Sequence, residues 1–116
     1  MDSNTSEYLK EGIALENLIS CQEGSIVSRT LINRPAGTVT LFAFDRGEKL
    51  SEHTAPFDAL VQVLDGSVEI AISGKPYSLK KGEMIIMPAG EPHSLKAIER
   101  FKMMLVMIST PSTGQA

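Results

Sequence analysis

Short apolar segments separated by glycine or proline make up most of the chain from residue 26 onward. Strand-forming β-branched and aromatic residues dominate several of them. Val68, Ile70 and Ile72 alternate with smaller or polar neighbours, which is the two-residue period of a half-buried strand. The pattern predicts strands over segments 26–31, 38–44, 60–64, 67–73, 77–79, 84–87, 93–97 and 101–108.

The segments between these strands carry turn chemistry. Asp65-Gly66 predicts a two-residue hairpin, Gly74 and Gly82 mark further turns, and 88–92 (PAGEP) predicts a rigid loop. Many short strands at this spacing predict an all-β sandwich or barrel. With 116 residues the chain is expected to form one domain, 1–116, whose ends at 1–12 and 111–116 are flexible.

Composition and charge exclude several classes of function. Apolar residues make up 42% of the chain and the net charge is −3, a balance typical of a globular protein. Because lysines and arginines do not cluster, we expect neither a nucleic-acid partner nor a membrane-surface partner. No apolar run is long enough to span a bilayer, and the polar N-terminus is unlike a signal peptide. Cys21 has no second cysteine to pair with, so these features together favour a cytoplasmic location.

Two glycine-bounded stretches carry a family resemblance. The stretch 82–93 (GEMIIMPAGEPH) contains a glycine, five residues, Pro-x-Gly, two residues and a histidine. The stretch 47–66 (GEKLSEHTAPFDALVQVLDG) begins and ends on glycine and contains His53. In this order and spacing the two stretches resemble the paired motifs of the cupin superfamily, over about residues 38–110. The resemblance implies an all-β jelly-roll β-barrel of two antiparallel sheets with little helix.

The resemblance also implies where a metal would bind. The family pattern places His-x-His and a glutamate in the first motif and one histidine in the second. Here the second histidine position is Ala55 and the glutamate position is Ala59, so His53 and His93 remain as predicted metal ligands. Imidazole sites of this kind suit Zn, Fe, Mn or Ni. Asp58 lies one position from the glutamate position, but strand alternation turns it away from the barrel interior.

Three further residues are weaker candidates for ligand binding, each with a structural alternative. Arg29 lies among apolar neighbours and can offer its guanidinium to an anion, or extend its head to the surface. Gln62 can contact a ligand, although alternation places it on the face opposite Ala59. Met87 can supply soft sulfur or simply fill the core.

Two functional hypotheses follow from these residues. The first is a small cupin-barrel protein that binds a small molecule and, through two histidines, a loosely held divalent metal. The second is a metal-dependent enzyme of the dioxygenase or isomerase kind with an incomplete set of protein ligands; the sequence leaves catalysis open. Because 60–64 and 101–108 are apolar on both faces, and Leu60 and Leu64 need cover outside the barrel, we also expect a homodimer.

Overall fold

A computed structural model describes residues 12–109, in which nine strands form two antiparallel sheets. The chain ends expected to be flexible fall largely outside the described residues. A short 3-10 helix at Leu15–Leu18 precedes the strands, and no helix within the described range is long and apolar enough to cross a membrane. The strands are β1 Ile26–Arg34, β2 Gly37–Phe44, β3 Lys49–His53, β4 Phe57–Asp65, β5 Ser67–Ile72, β6 Lys75–Lys80, β7 Met84–Met87, β8 His93–Ala97 and β9 Phe101–Ser109.

The two sheets have different sizes and an interleaved strand order. The larger sheet runs β1-β2-β9-β4-β7 and the smaller one runs β3-β8-β5-β6. The chain therefore passes repeatedly between the sheets, as in a jelly roll, and the all-β prediction from the apolar pattern is confirmed.

The main core lies between the two sheets and follows strand alternation. On β4, Ala59, Val61 and Val63 are buried while the residues between them are partly exposed. Phe44 and Phe101 stack at the centre with ring centroids 4.6 Å apart. The remaining buried members of this core are Val68, Ile70, Leu79, Met87, Leu95, Ala97 and Met103.

A second, smaller apolar cluster lies on the outer face of the larger sheet. Leu18 and Ile19, from the 3-10 helix and the residue after it, pack over Leu41 and Ala43 of β2. The Arg29 guanidinium donates a hydrogen bond to the Leu18 carbonyl at 2.9 Å, which fastens this segment to β1. The segment thereby covers one half of a sheet face that would otherwise be exposed.

The two-residue hairpin predicted at Asp65-Gly66 is wrong. β4 belongs to the larger sheet and β5 to the smaller one, so Gly66 carries the chain from one sheet to the other. Gly66 has φ +76°, and a Cβ at this position would collide with the Arg100 carbonyl oxygen and with Phe101. Glycine is thus required by close backbone approach as well as by the positive φ.

Candidate functional site

Short connections bring the two histidines to the same end of the barrel. His53 ends β3, which a three-residue link joins to β4, and His93 begins β8, which a five-residue link joins to β7. Within the smaller sheet His53 and His93 are paired across β3 and β8, and His93 is paired with Ile72 of β5. The convergence expected from the two motifs is therefore present in the structure.

The two imidazole rings meet edge to face. Their centroids are 4.4 Å apart with an interplanar angle of 71°, and the two Nε2 atoms are 3.1 Å apart. Two nitrogens that each lie ~2.1 Å from one metal ion, at roughly a right angle, would be about 3.0 Å apart. The observed separation matches two adjacent ligands of one ion, and it equally matches a hydrogen bond between the two rings.

Backbone carbonyls determine which nitrogen of each ring carries hydrogen. His53 Nδ1 lies 2.8 Å from the Ser51 carbonyl oxygen, and His93 Nδ1 lies 3.3 Å from the Glu91 carbonyl oxygen. Because a carbonyl only accepts, Nδ1 is the donor in both contacts. A neutral ring in this tautomer has an unprotonated Nε2, so the 3.1 Å contact between the two Nε2 atoms requires a shared proton or a cation between them.

The environment of His93 disfavours a proton on the Nε2 atom of this ring. His93 is buried, with 6% of its surface exposed, whereas His53 is exposed at the mouth. Burial lowers the pKa of His93 below its usual value, electrostatic repulsion from His53 lowers it further, and the hydrogen bond to Glu91 acts in the opposite direction. The buried ring therefore remains neutral, the form in which imidazole binds metal.

Four hydrogen bonds fix the loop 88–92 that carries His93. Gly90 N donates to the Ala55 carbonyl oxygen at 2.9 Å, and Ala89 N donates to Asp58 Oδ1 at 2.9 Å. Ser73 N donates to the Pro92 carbonyl oxygen at 2.8 Å, and the Ser73 hydroxyl donates to Glu91 Oε1 at 3.1 Å. Since Ala55 and Asp58 flank the start of β4, the first two bonds hold this loop against the connection that follows His53. The exposed Asp58 thus anchors the loop, and its sequence neighbour Ala59 is the residue that faces the interior.

The larger sheet contributes a row of inward-facing residues at the same end of the barrel. Strand register places Thr38, Met107, Ala59 and Met87 side by side on β2, β9, β4 and β7. Ala59 and Met87 are buried in the main core, and Met107 packs against it. The Thr38 hydroxyl oxygen is buried and has no hydrogen-bond partner in the described structure. Among the described residues this wall is thus apolar apart from one buried hydroxyl without a partner.

The weaker candidates from the sequence do not all lie at this site. Met87 lies in the inward-facing row, one strand from Ala59. Gln62 follows the outward alternation of β4, and Arg29 binds Leu18 on the outer face of the same sheet. Within residues 12–109 no group of three or more His, Cys, Asp or Glu side chains is arranged to hold a metal, so the histidine pair has no carboxylate beside it.

Sequence reasoning missed the two carbonyls that set the tautomers and the partnerless Thr38 hydroxyl. Each histidine contacts the carbonyl two residues before it, at Ser51 and Glu91. Every residue has a carbonyl, so the side-chain sequence holds no signal for this contact. Thr38 could have been found only through its even-numbered position on β2, which it shares with Phe42 and Phe44.

Comparison with known proteins places these features in a family. Residues 40–109 match the family model of the Cupin domain. A conserved protein of unknown function from Streptococcus pyogenes is 35% identical with a TM-score of 0.84, over 88% of this chain and 90% of that one. A Cupin 2 conserved barrel domain protein from Leptotrichia buccalis is 42% identical with a TM-score of 0.79, over 81% of this chain and 46% of that one.

A cupin superfamily protein from Desulfitobacterium hafniense is also similar, at 26% identity and a TM-score of 0.83, over 87% of this chain and 93% of that one. No curated protein matches the sequence.

Proposed function

Because the chain belongs to the cupin superfamily, we propose that it is a small-molecule-binding barrel protein that holds a divalent transition metal loosely through His53 and His93. The observation that carries the proposal is the pair of Nε2 atoms 3.1 Å apart, with Nδ1 of each ring directed at a backbone carbonyl oxygen. With Nδ1–H on both rings, the Nε2 contact requires a cation or a shared proton between the rings, and the lowered pKa of His93 disfavours a proton on the buried ring.

Two imidazoles make a weak site. Zinc sites in proteins use three or four protein ligands, and cupin positions that would supply two of them are Ala55 and Ala59 here. The rest of the coordination sphere then comes from water or from the bound small molecule. Zinc, iron, manganese and nickel all accept imidazole, and geometry and supply select among them.

Calorimetric titration of the metal-free, untagged protein with a divalent ion tests the proposal. The double change Ala55→His with Ala59→Glu is expected to tighten binding by about 10–100-fold, since even residues that only orient a metal ligand have effects of that size. His53→Ala should abolish binding. If the double variant binds no better than the wild type and His53→Ala changes nothing, the histidine pair does not hold metal.

The affinity for metal should fall as the pH falls. Protonation of either imidazole removes a ligand, so acidification releases the metal. Because the pKa of His93 is lowered, this ring keeps its lone pair to a pH below the usual histidine range. Affinity should therefore be constant above neutral pH and fall on acidification, and an affinity that rises on acidification would contradict the assignment.

The alternative function, a metal-dependent enzyme of the dioxygenase or isomerase kind, would use the same two ligands and the same open positions. The metal content of the purified protein distinguishes the enzyme from the binding protein. Near-stoichiometric iron, manganese or nickel in protein purified without added metal favours the enzyme. Metal-free protein that still takes up small apolar molecules favours the binding protein.

A further inference from the structure

We draw no further inference here: the strongest candidate, the apolar groove that Leu60, Ile86, Val106 and Ile108 line on the outer face of the larger sheet, carries only the homodimer already expected from the sequence, and nothing in residues 12–109 shows any other molecule that would cover it.

Discussion

Gly90 is the residue on which the position of His93 depends most directly. It has φ +83°, a conformation that side chains rarely adopt, and its N–H binds the Ala55 carbonyl. No atom lies within 4 Å of a Cβ built there, so a side chain at this position is disfavoured by the backbone conformation and not by a steric clash. Gly90→Val should therefore lower the free energy of unfolding by about 1–3 kcal/mol, measured by denaturant titration.

The matched control is Gly90→Asn, since asparagine tolerates the left-handed region better than valine. The asparagine variant should lose clearly less stability. Equal losses in both variants would show that the side chain, and not the backbone conformation, is responsible.

Single residues also show how far the sequence could predict the site. The meeting of His53 and His93 was predicted, because both occupy histidine positions in the two motifs that resemble those of the cupin superfamily. The facing Nε2 atoms were not, because they depend on contacts with the carbonyls of Ser51 and Glu91. Side-chain identity constrains where a ring lies, while its tautomer follows from backbone positions that only the folded chain defines.

At the level of elements, the segment around Leu15–Leu18 acts as a cover for the larger sheet. Leu18 is 8% exposed and packs on Leu41 and Ala43, whereas Ile13, which precedes the 3-10 helix, is 46% exposed. Leu18→Ala should lower the free energy of unfolding by about 2–4 kcal/mol, because it removes buried methyl groups and leaves a cavity.

Ile13→Ala serves as the control in the same segment. It should change stability by less than about 0.5 kcal/mol, the usual range for exposed sites. Should Leu18→Ala be equally mild, the segment would not be an integral part of the fold.

The strands themselves were largely predictable and their pairing was not. Alternation located β5 to within a residue, and a short apolar run between turn residues located β7. Asp65-Gly66 has the local sequence of a hairpin, yet Gly66 leads into the other sheet, past the Arg100 carbonyl. The close approach that requires glycine at position 66 comes from Arg100, which lies 34 positions away in sequence, so no local pattern contains it.

For the whole molecule, the most distinctive surface is the half of the larger sheet's outer face that residues 12–109 leave uncovered. Leu60, Ile86, Val106 and Ile108 line an apolar groove of about 300 Å³ that is bordered by Asp58. Ile86 is 52% exposed and Ile108 is 54% exposed, although both lie on strands of a packed sheet. Leu64, which was also expected to need cover, packs against the Leu18 cluster instead.

We propose that a second copy of the chain covers this groove in a two-fold homodimer. The same apolar surface on both partners satisfies two-fold symmetry, and the Asp58 carboxylate at its border already binds Ala89 N. Stable interfaces bury about 800 Å² per partner, so the groove would be the centre of a contact that extends over β4, β7 and β9.

Light scattering at micromolar concentration should give twice the chain mass of 12.6 kDa. The double change Ile86→Lys with Ile108→Lys should give the monomer, because it places charges in the contact. Ile98→Lys, at an equally exposed isoleucine between β8 and β9, should leave the dimer intact. A monomeric wild type, or a double variant that stays dimeric, would rule out this interface.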